Sequence, residues 1–272
     1  VANSEYFYPD NYLGGLGYVK MAQQMEAALA ADFPEFATNV VSETVAQRRY
    51  LQAGLRNKIS QAIGLGINLT PGTKVGEYSA ETIAAFNAQI EKANELLSSG
   101  NIATDDANAM VNTLTEILTT NVIKPTASND DNEYWYQITS LRSSNLYVSA
   151  EGAAAGVAGS EEYVKYAESM WKLVNRGDDT YDIINREYNC YLSPTASYNT
   201  QINTTSSKPS KGWTIGNSGT PGYFIISSGE VQLNQTGSAQ NYAIYNWSDP
   251  NNKGNDLSDT GCQFKITESP EP

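Results

Sequence analysis

The side chains best suited to bind a ligand lie in a short stretch near the C-terminal end of the chain. The stretch combines aromatic rings with amides and a carboxylate: Asn234, Gln235, Tyr245, Asn246, Trp247 and Asp249. An aromatic ring packs well against the C–H face of a neutral sugar, while amides and carboxylates bind its hydroxyl groups. We therefore predict a ligand site at these residues, with at least one of the two rings exposed beside the amide and the carboxylate. In the alternative interpretation, both rings pack beneath the following loop and the Asn and Asp residues only form turns.

The absence of histidine excludes several kinds of catalytic and metal site. It removes Ser-His-Asp and Cys-His nucleophile pairs, and also the commonest zinc and iron ligand sets. A loop with Asp249, Asn251 and Gly254 partly fits a calcium-binding EF-hand loop, but Lys253 and Thr260 stand where that loop needs oxygen ligands. We predict no metal and no cofactor.

The charge balance is strongly acidic, with 17 Lys and Arg against 30 Asp and Glu and a net charge of −13. This balance argues against nucleic acid or an anionic membrane as a partner. Glycoside hydrolysis needs only two suitably spaced carboxylates. No motif marks such a pair in this chain, so we predict binding without catalysis.

Two further features bear on where the protein works. Cys190 and Cys262 could form one disulfide or remain two buried thiols. No run of about 18 apolar residues is present, so we predict no membrane span. Neither Val1 nor the final Glu268–Pro272 resembles a natural terminus, and we expect a longer protein. The surface chemistry, rich in Asn, Ser, Thr and Tyr, favours a secreted, periplasmic or cell-surface location.

The composition changes near residue 125, which predicts two domains. All four tryptophans and most tyrosines follow that position, and two domains also suit a norm of about 150 residues per domain. We predict a bundle of three or four helices over 1–125, a linker over 126–133 and an all-β domain over 134–268.

The first half shows the hydrophobic spacing of amphipathic helices. One predicted helix begins after the N-cap Ser79 and ends at Ser98–Gly100, and the next begins at Thr104. Two earlier helices are predicted over 18–31 and 42–63. Their apolar stripes are expected to face a core: Tyr18, Met21, Met25, Leu29, Val45, Leu55, Ile59, Ile63, Ile83, Phe86, Ile90, Ala93, Leu97, Ala107, Met110, Val111, Leu114, Ile117 and Leu118.

The stretch from Gly76-Glu-Tyr-Ser79 to Leu118 resembles small helical modules of the FIVAR type. Such modules recur beside catalytic and binding domains in bacterial cell-surface proteins that degrade glycans. The resemblance implies a spacer or docking role, and it adds other domains of the same polypeptide to the expected partners.

The second half repeats one strand pattern three times. First strands are predicted at Tyr136–Ile138, Tyr181–Ile183 and Tyr223–Ile225, second strands at Asn145–Val148, Asn189–Leu192 and Glu230–Leu233, and closing strands at Trp171–Leu173, Trp213–Ile215 and Phe264–Ile266. Alternate residues of a strand share a face, so three copies bring their aromatic and aliphatic side chains into one core. About four strands per repeat predict a closed barrel of twelve. Cys190 takes the place of Leu146 and Val231, which favours a buried thiol.

This pattern resembles a β-trefoil, and within that fold the ricin-B-like lectins. The repeats are predicted at about 134–175, 176–217 and 218–268, so the fold class is a helical bundle followed by a C-terminal β-trefoil. The resemblance implies a glycan as partner. Ricin-B-like lectins carry a Gln two residues before the closing Trp, whereas this chain has Ser169, Lys211 and Cys262 there. The sugar contacts of that family therefore cannot be carried over residue by residue.

Two functions follow from these observations. The first is a noncatalytic carbohydrate-binding protein, or the binding region of a larger secreted glycan-processing protein. The second is a protein-interaction or scaffold module whose trefoil has lost sugar binding, which the missing Gln favours. An exposed aromatic ring beside Asn and Asp in a shallow pocket distinguishes the first from the second.

Overall fold

The structure is a computed structural model that describes residues 21, 24–25, 43–161, 166–229, 231–248 and 259–269. Its internal contacts divide the chain into two compact units. Unit 1 holds residues 1–64 and 89–114, and unit 2 holds residues 65–88 and 115–272. The predicted domain boundaries remain a prediction, because a division by contacts does not test where an independently folding domain ends.

Three helices are described, and their ends follow the predicted signals. Helix α1 spans Glu43–Gly64, α2 spans Ala80–Ser98 and α3 spans Thr104–Thr120. The Ser79 hydroxyl accepts a hydrogen bond from the backbone N–H of Thr82 at 3.1 Å, which confirms the predicted N-cap. Along α2 and α3 the predicted stripe is buried or half-buried throughout.

Unit 1 joins α1 to the end of α2 and the start of α3. The Gln52 side chain donates to the carbonyl of Ile102 at 2.8 Å and accepts from its N–H at 2.7 Å. The Arg56 guanidinium donates to the carbonyls of Leu97 and Ser99. These bonds surround buried side chains of unit 1: Leu55, Ile59, Ala93, Ile102 and Ala107. The arrangement of all predicted helices as one bundle remains a prediction.

The predicted helix over 18–31 lies mostly outside the described residues. Residues 21 and 24–25 are helical. Met21 and Met25 are nevertheless 42% and 60% exposed, so the expectation that they face a core is wrong for these two positions. A helical spacing alone does not show that a partner surface is present to cover it.

Twelve strands follow, four in each repeat, as predicted. Repeat 1 contains β1 (Tyr136–Ser140), β2 (Ser143–Ala150), β3 (Val157–Ser160) and β4 (Trp171–Asn175). Repeat 2 contains β5 (Tyr181–Asn185), β6 (Tyr191–Leu192), β7 (Thr204–Thr205) and β8 (Thr214–Asn217). Repeat 3 contains β9 (Phe224–Ser228), β10 (Val231–Gln235), β11 (Ile244–Asn246) and β12 (Phe264–Glu268).

The first and last strands of the repeats close into a six-stranded barrel. Antiparallel pairs join β1 to β4, β4 to β5, β8 to β9, β9 to β12 and β12 to β1, and the bridge between Tyr181 and Trp213 joins β5 to β8. The middle strands form the hairpins β2–β3, β6–β7 and β10–β11. This arrangement is a β-trefoil, and closure removes the free edges of the six barrel strands.

The register corrects one prediction by a single residue. Tyr136 pairs with Trp171, Tyr181 with Trp213, and Phe224 with Phe264. The equivalent of Tyr136 in repeat 3 is therefore Phe224, not Tyr223 as predicted. Phe224 is fully buried and Tyr223 is half-buried. Two adjacent aromatic residues both fit the sequence pattern, and only strand pairing decides which one faces the core.

The closing aromatic residues and the second strands confirm the predicted core. Trp171, Trp213 and Phe264 are at most 1% exposed. The indole N–H groups of Trp171 and Trp213 donate to the carbonyls of Val148 and Leu192, at 2.8 and 2.9 Å. Those carbonyls occupy equivalent places in the second strands, so each bond ties the end of a repeat to its own hairpin.

Both cysteines are buried thiols that are not joined in a disulfide, which decides between the two predicted alternatives. Cys190 is 1% exposed and Cys262 is fully buried. Burial raises the pKa of the Cys190 thiol, which opposes formation of the reactive thiolate. The prediction that Cys190 replaces a small buried hydrophobic residue is confirmed.

Unit 2 also includes the chain that precedes the barrel. Gly76 and Gly222 both have positive φ angles, 81° and 79°, and a Cβ on Gly222 would lie 2.9 Å from the Gly76 carbonyl oxygen. The Gly222 N–H donates to the Tyr78 hydroxyl at 3.0 Å. Glycine is needed at this contact both for backbone conformation and for space.

Part of the predicted linker is hydrogen-bonded to the barrel. Thr126 exchanges two hydrogen bonds with the Tyr136 hydroxyl, both of 2.9 Å. The Ser128 N–H donates to the Leu173 carbonyl at 2.7 Å. Within unit 2, Ser128 therefore lies beside β4 and Thr126 is fixed by the side chain of the first residue of β1. Among the described helices, none is long and apolar enough to cross a membrane.

Candidate functional site

The β10–β11 hairpin divides the predicted ligand residues between two faces. Asn234 lies opposite Tyr245, and Gln235 lies opposite Ile244. Opposite residues of an antiparallel pair share a face, and successive residues alternate. Asn234 and Tyr245 are thus on one face, whereas Gln235 and Asn246 are on the other. Asp249 lies outside the described residues.

The Asn234 amide is used within the protein. It donates to the Asp259 carboxylate at 3.0 Å and to the Cys262 sulfur at 3.1 Å. Its carbonyl oxygen is 3.5 Å from the Arg142 guanidinium, which also pairs with Asp259 at 2.6 Å. Because Asn234 is only 2% exposed, this network holds the end of β10 against the chain before β12.

The neighbouring Gln235 amide is fully enclosed. Its side-chain nitrogen and oxygen are buried and have no hydrogen-bond partner among the described residues. Gly159 provides the space for it, since a Cβ there would lie 2.8 Å from the amide nitrogen. The enclosure leaves no direct path from this amide to a ligand at the surface.

Asn246 connects repeat 3 to repeat 2. Its amide nitrogen donates to the Ala196 carbonyl at 2.8 Å, and its oxygen accepts from the N–H groups of Gln232 and Ser248, both at 3.0 Å. The side chain is 3% exposed. Asn246 therefore fixes the hairpin of repeat 2 beside the end of β11.

The two predicted aromatic residues are both half-buried. The Trp247 ring lies 5.6 Å from the ring of Tyr198, with the two planes tilted by 45°. Tyr198 belongs to the hairpin of repeat 2 and is 41% exposed. The exposed aromatic surface at this place thus comes mainly from Tyr198, which the sequence did not single out.

A pocket of about 310 Å³ lies where these two repeats meet. The hairpin of repeat 2, the chain before β8, the adjacent ends of β9 and β10, and the end of β11 provide its walls. Its lining is rich in hydroxyl groups and contains one aromatic ring and one lysine: Pro194, Thr195, Ala196, Ser197, Tyr198, Ser210, Lys211, Ser228, Val231, Asn246 and Ser248. We call it the 198–211 pocket. Of the predicted ligand residues, Asn246 lines it, with Trp247 against Tyr198.

Arg176 holds the chain that brings Lys211 to the pocket. Its guanidinium donates to the carbonyls of Pro209 and Ser210 at 2.9 and 3.0 Å, and to the Asp182 carboxylate at 2.8 Å. Lys208 also pairs with Asp182, at 3.0 Å. Asp182 is 3% exposed, and two cations compensate its burial.

A larger pocket of about 560 Å³ lies beside the Gly76–Gly222 contact of unit 2. Its walls carry two lysines and two glutamates, Lys74, Lys265, Glu77 and Glu268, with Tyr223 as its aromatic residue. A neutral ligand there must displace water from charged groups of both signs, which is unfavourable. The 198–211 pocket is therefore the better candidate. Within the described ranges, no group of three acidic or cysteine side chains could hold a metal ion.

Comparisons with known proteins add a likeness in structure. Neither the protein-family models nor the curated proteins give a significant match. Among solved structures, a designed threefold-symmetric protein, ThreeFoil, is 16% identical, with a TM-score of 0.41 over 49% of this chain and 97% of its own. A Macrolepiota procera ricin B-like lectin in complex with lactose is 14% identical, with a TM-score of 0.42 over 53% of this chain and 99% of its own. The Rhizoctonia solani agglutinin is 13% identical, with a TM-score of 0.39 over 52% of this chain and 99% of its own. The fold assignment rests on the threefold strand register of this chain.

Proposed function

We propose that the chain is a noncatalytic carbohydrate-binding protein, or the binding region of a larger secreted glycan-processing protein, and that the 198–211 pocket holds the sugar. The exposed Tyr198 ring beside a hydroxyl-lined pocket carries this proposal. A sugar presents C–H groups on one face and hydroxyl groups around its edge, so one aromatic face and several hydroxyl partners suit it. A volume of about 310 Å³ suits one or two sugar rings better than a large substrate.

The structure of the pocket supports binding by a preformed site. Asn246 ties the hairpin of repeat 2 to β11, and Arg176 fixes the chain before β8. The Trp247 ring packs against the Tyr198 ring, with centroids 5.6 Å apart. Because the walls are already ordered, little conformational entropy is lost when a ligand binds. Such a preformed site favours measurable affinity from a small contact area.

The test is a glycan array followed by titration of the strongest glycan. We expect Tyr198→Ala to weaken its binding by about tenfold, the scale of one lost aromatic contact. Tyr134→Ala is the matched control, because Tyr134 is similarly exposed, at 39%, and lies outside the pocket. Thermal unfolding of both variants should resemble that of the wild type. A wild-type protein that binds no glycan, or binding that Tyr198→Ala leaves unchanged, contradicts the proposal.

A protein-interaction or scaffold role is the second candidate. It is favoured by Asn234 and Asn246, whose amides are both used inside the protein. This role predicts an empty glycan array together with a defined protein complex in cross-linking or co-purification. The proposed location is secreted, periplasmic or at the cell surface, with the FIVAR-like helical part as a spacer between this trefoil and other domains of the polypeptide.

A further inference from the structure

The described lining of the 198–211 pocket has a charge opposite to that of the chain. The whole sequence carries 30 acidic against 17 basic residues. Among the described residues that line the pocket, Lys211 is the one charged side chain. In a chain with nearly twice as many acids as bases, the described part of the lining thus contains one ammonium group and no carboxylate.

Lys211 is available to a ligand. It is exposed, and no ion-pair partner is found for it among the described residues. Asp182, the buried acid that anchors the same stretch, already has Arg176 and Lys208 as partners. An ammonium group without a carboxylate partner gains more from an incoming anion than one that must first give up an internal pair.

The backbone at Lys211 is held in place. On one side, the Ser210 carbonyl accepts from Arg176. On the other, the Ser228 hydroxyl donates to the Gly212 carbonyl at 2.6 Å. Gly212 itself packs closely against Thr180, since a Cβ on residue 212 would lie 2.2 Å from the Thr180 hydroxyl oxygen. The flexible stem of Lys211 therefore starts from a fixed point beside Ser210, in a lining that also contains Tyr198.

We infer that the 198–211 pocket takes an acidic sugar, whose ring packs on Tyr198 and whose anionic group pairs with Lys211. The exposed hydroxyls of Ser197 and Ser210 would then bind the ring hydroxyls. This inference rests on the proposed function and specifies its ligand class as a sugar with a carboxylate or a sulfate group. Since an ammonium group is a compact point charge, it can pair with either anion, and the experiment separates the two.

The experiment compares three ligands that share one ring: methyl β-glucoside, methyl β-glucuronide and glucose 6-sulfate. The full chain is titrated with each by NMR or calorimetry, at about 20 and 500 mM salt. We expect an acidic sugar to bind about fivefold more tightly than the neutral one at low salt, the scale of a single exposed ion pair. High salt should remove most of this preference, because it screens exposed charges. The preferred acidic ligand identifies the anion.

Two variants locate the interaction. Lys211→Gln should abolish the preference for the acidic sugar, so that the neutral and the acidic sugar bind this variant with equal affinity. Lys265→Gln removes an exposed lysine of the larger pocket and should change neither. Equal binding of neutral and acidic sugars, or a preference that survives Lys211→Gln, overturns this inference and leaves the proposed function intact. If neither these ligands nor an array of larger glycans bind, the proposed function fails as well.

Discussion

At the scale of single residues, each of the three repeats has a buried polar side chain at the same position of its first barrel strand, although the residue type differs. Ser140, Asn185 and Ser228 occupy the same barrel position and are at most 3% exposed. Each donates to a backbone carbonyl in the segment that leads to a closing aromatic residue: those of Thr260, Glu168 and Gly212. A buried polar group at a conserved geometric position is stable only with such a partner. These bonds therefore set how the closing strand enters the barrel in each repeat.

The indole bonds give a prediction at this scale. Trp171→Phe and Trp213→Phe each remove a buried donor and leave the carbonyl of Val148 or Leu192 without it. We expect each variant to lose about 1–3 kcal/mol in the free energy of unfolding, the cost of an orphaned buried acceptor. Urea denaturation followed by circular dichroism measures the loss.

Repeat 3 is the natural comparison for this prediction, because its closing aromatic residue, Phe264, has no N–H donor in its side chain. Trp135→Phe is the control, since the Trp135 ring is half-buried and contacts Lys172 and Arg186 rather than the barrel core. It should change stability by less than about 1 kcal/mol. Unchanged stability in both core variants would show that the indole bonds contribute nothing.

Residue types predicted the core well and the site poorly. Trp171, Trp213 and Phe264 recur with a regular spacing, and a large apolar side chain in a repeated strand has few places other than the core. The sequence favours Asn234 and Asn246 as ligand residues because amides bind sugars, but amides also bind other polar groups of the protein itself. In this fold both amides hold the chain together. Composition cannot distinguish these uses, because each requires the same chemical group.

At the scale of elements, pairing decides what periodicity leaves open. The alternation of side chains fits both Tyr223 and Phe224 as the first aromatic residue of β9, and the pairing of Phe224 with Phe264 selects the second. A shift of one residue would turn every side chain of the strand to the opposite face. The turn before β9 contains Gly222, whose positive φ sets where the strand begins.

A prediction follows for that turn. Gly222→Ala places a Cβ 2.9 Å from the Gly76 carbonyl oxygen, at a φ of 79° that L side chains rarely adopt. We expect a loss of about 1–3 kcal/mol in unfolding free energy, from backbone strain and from displacement of the segment around Tyr78. Thermal unfolding and urea denaturation give the value.

Gly219→Ala is the matched control for the turn. Gly219 lies three residues away, and a Cβ there has nothing within 4 Å. This variant should remain within about 0.5 kcal/mol of the wild type. If the two variants have equal stability, the contact of Gly76 with Gly222 does not hold residues 74–78 against the barrel.

At the scale of unit 2, the pocket exists because the barrel is closed. Tyr198 and Trp247 are far apart in sequence and meet only when repeat 3 follows repeat 2 around the threefold axis. The sequence predicted the repeats, since each carries its own turn and strand pattern. It did not predict the pocket, because turn residues such as Ser197 and Ser210 have no periodic signature and their neighbours are set by closure.

The tyrosines that attach the preceding chain to the barrel make its stability depend on pH. Burial raises the pKa of Tyr78 and of Tyr136 above the ordinary value, despite opposing hydrogen bonds from Gly222 and Thr126. The neutral phenol is therefore favoured in the folded state. Its contribution is fully present below about pH 10, the pKa of an unfolded tyrosine, and is lost as the pH rises through the folded pKa.

We therefore expect the free energy of unfolding to decrease above about pH 10, and to decrease less in Tyr78→Phe and Tyr136→Phe, which cannot ionise at these sites. Urea denaturation at pH 8 and pH 11 measures the change for each protein. Tyr198→Phe is the control, because Tyr198 is 41% exposed and lies in the same unit, and this variant should keep the alkaline decrease of the wild type. Lysines also lose charge in this pH range, but they do so equally in the wild type and in the three variants. An alkaline decrease of the same size in every protein would mean that the buried hydroxyls do not link the preceding chain to barrel stability.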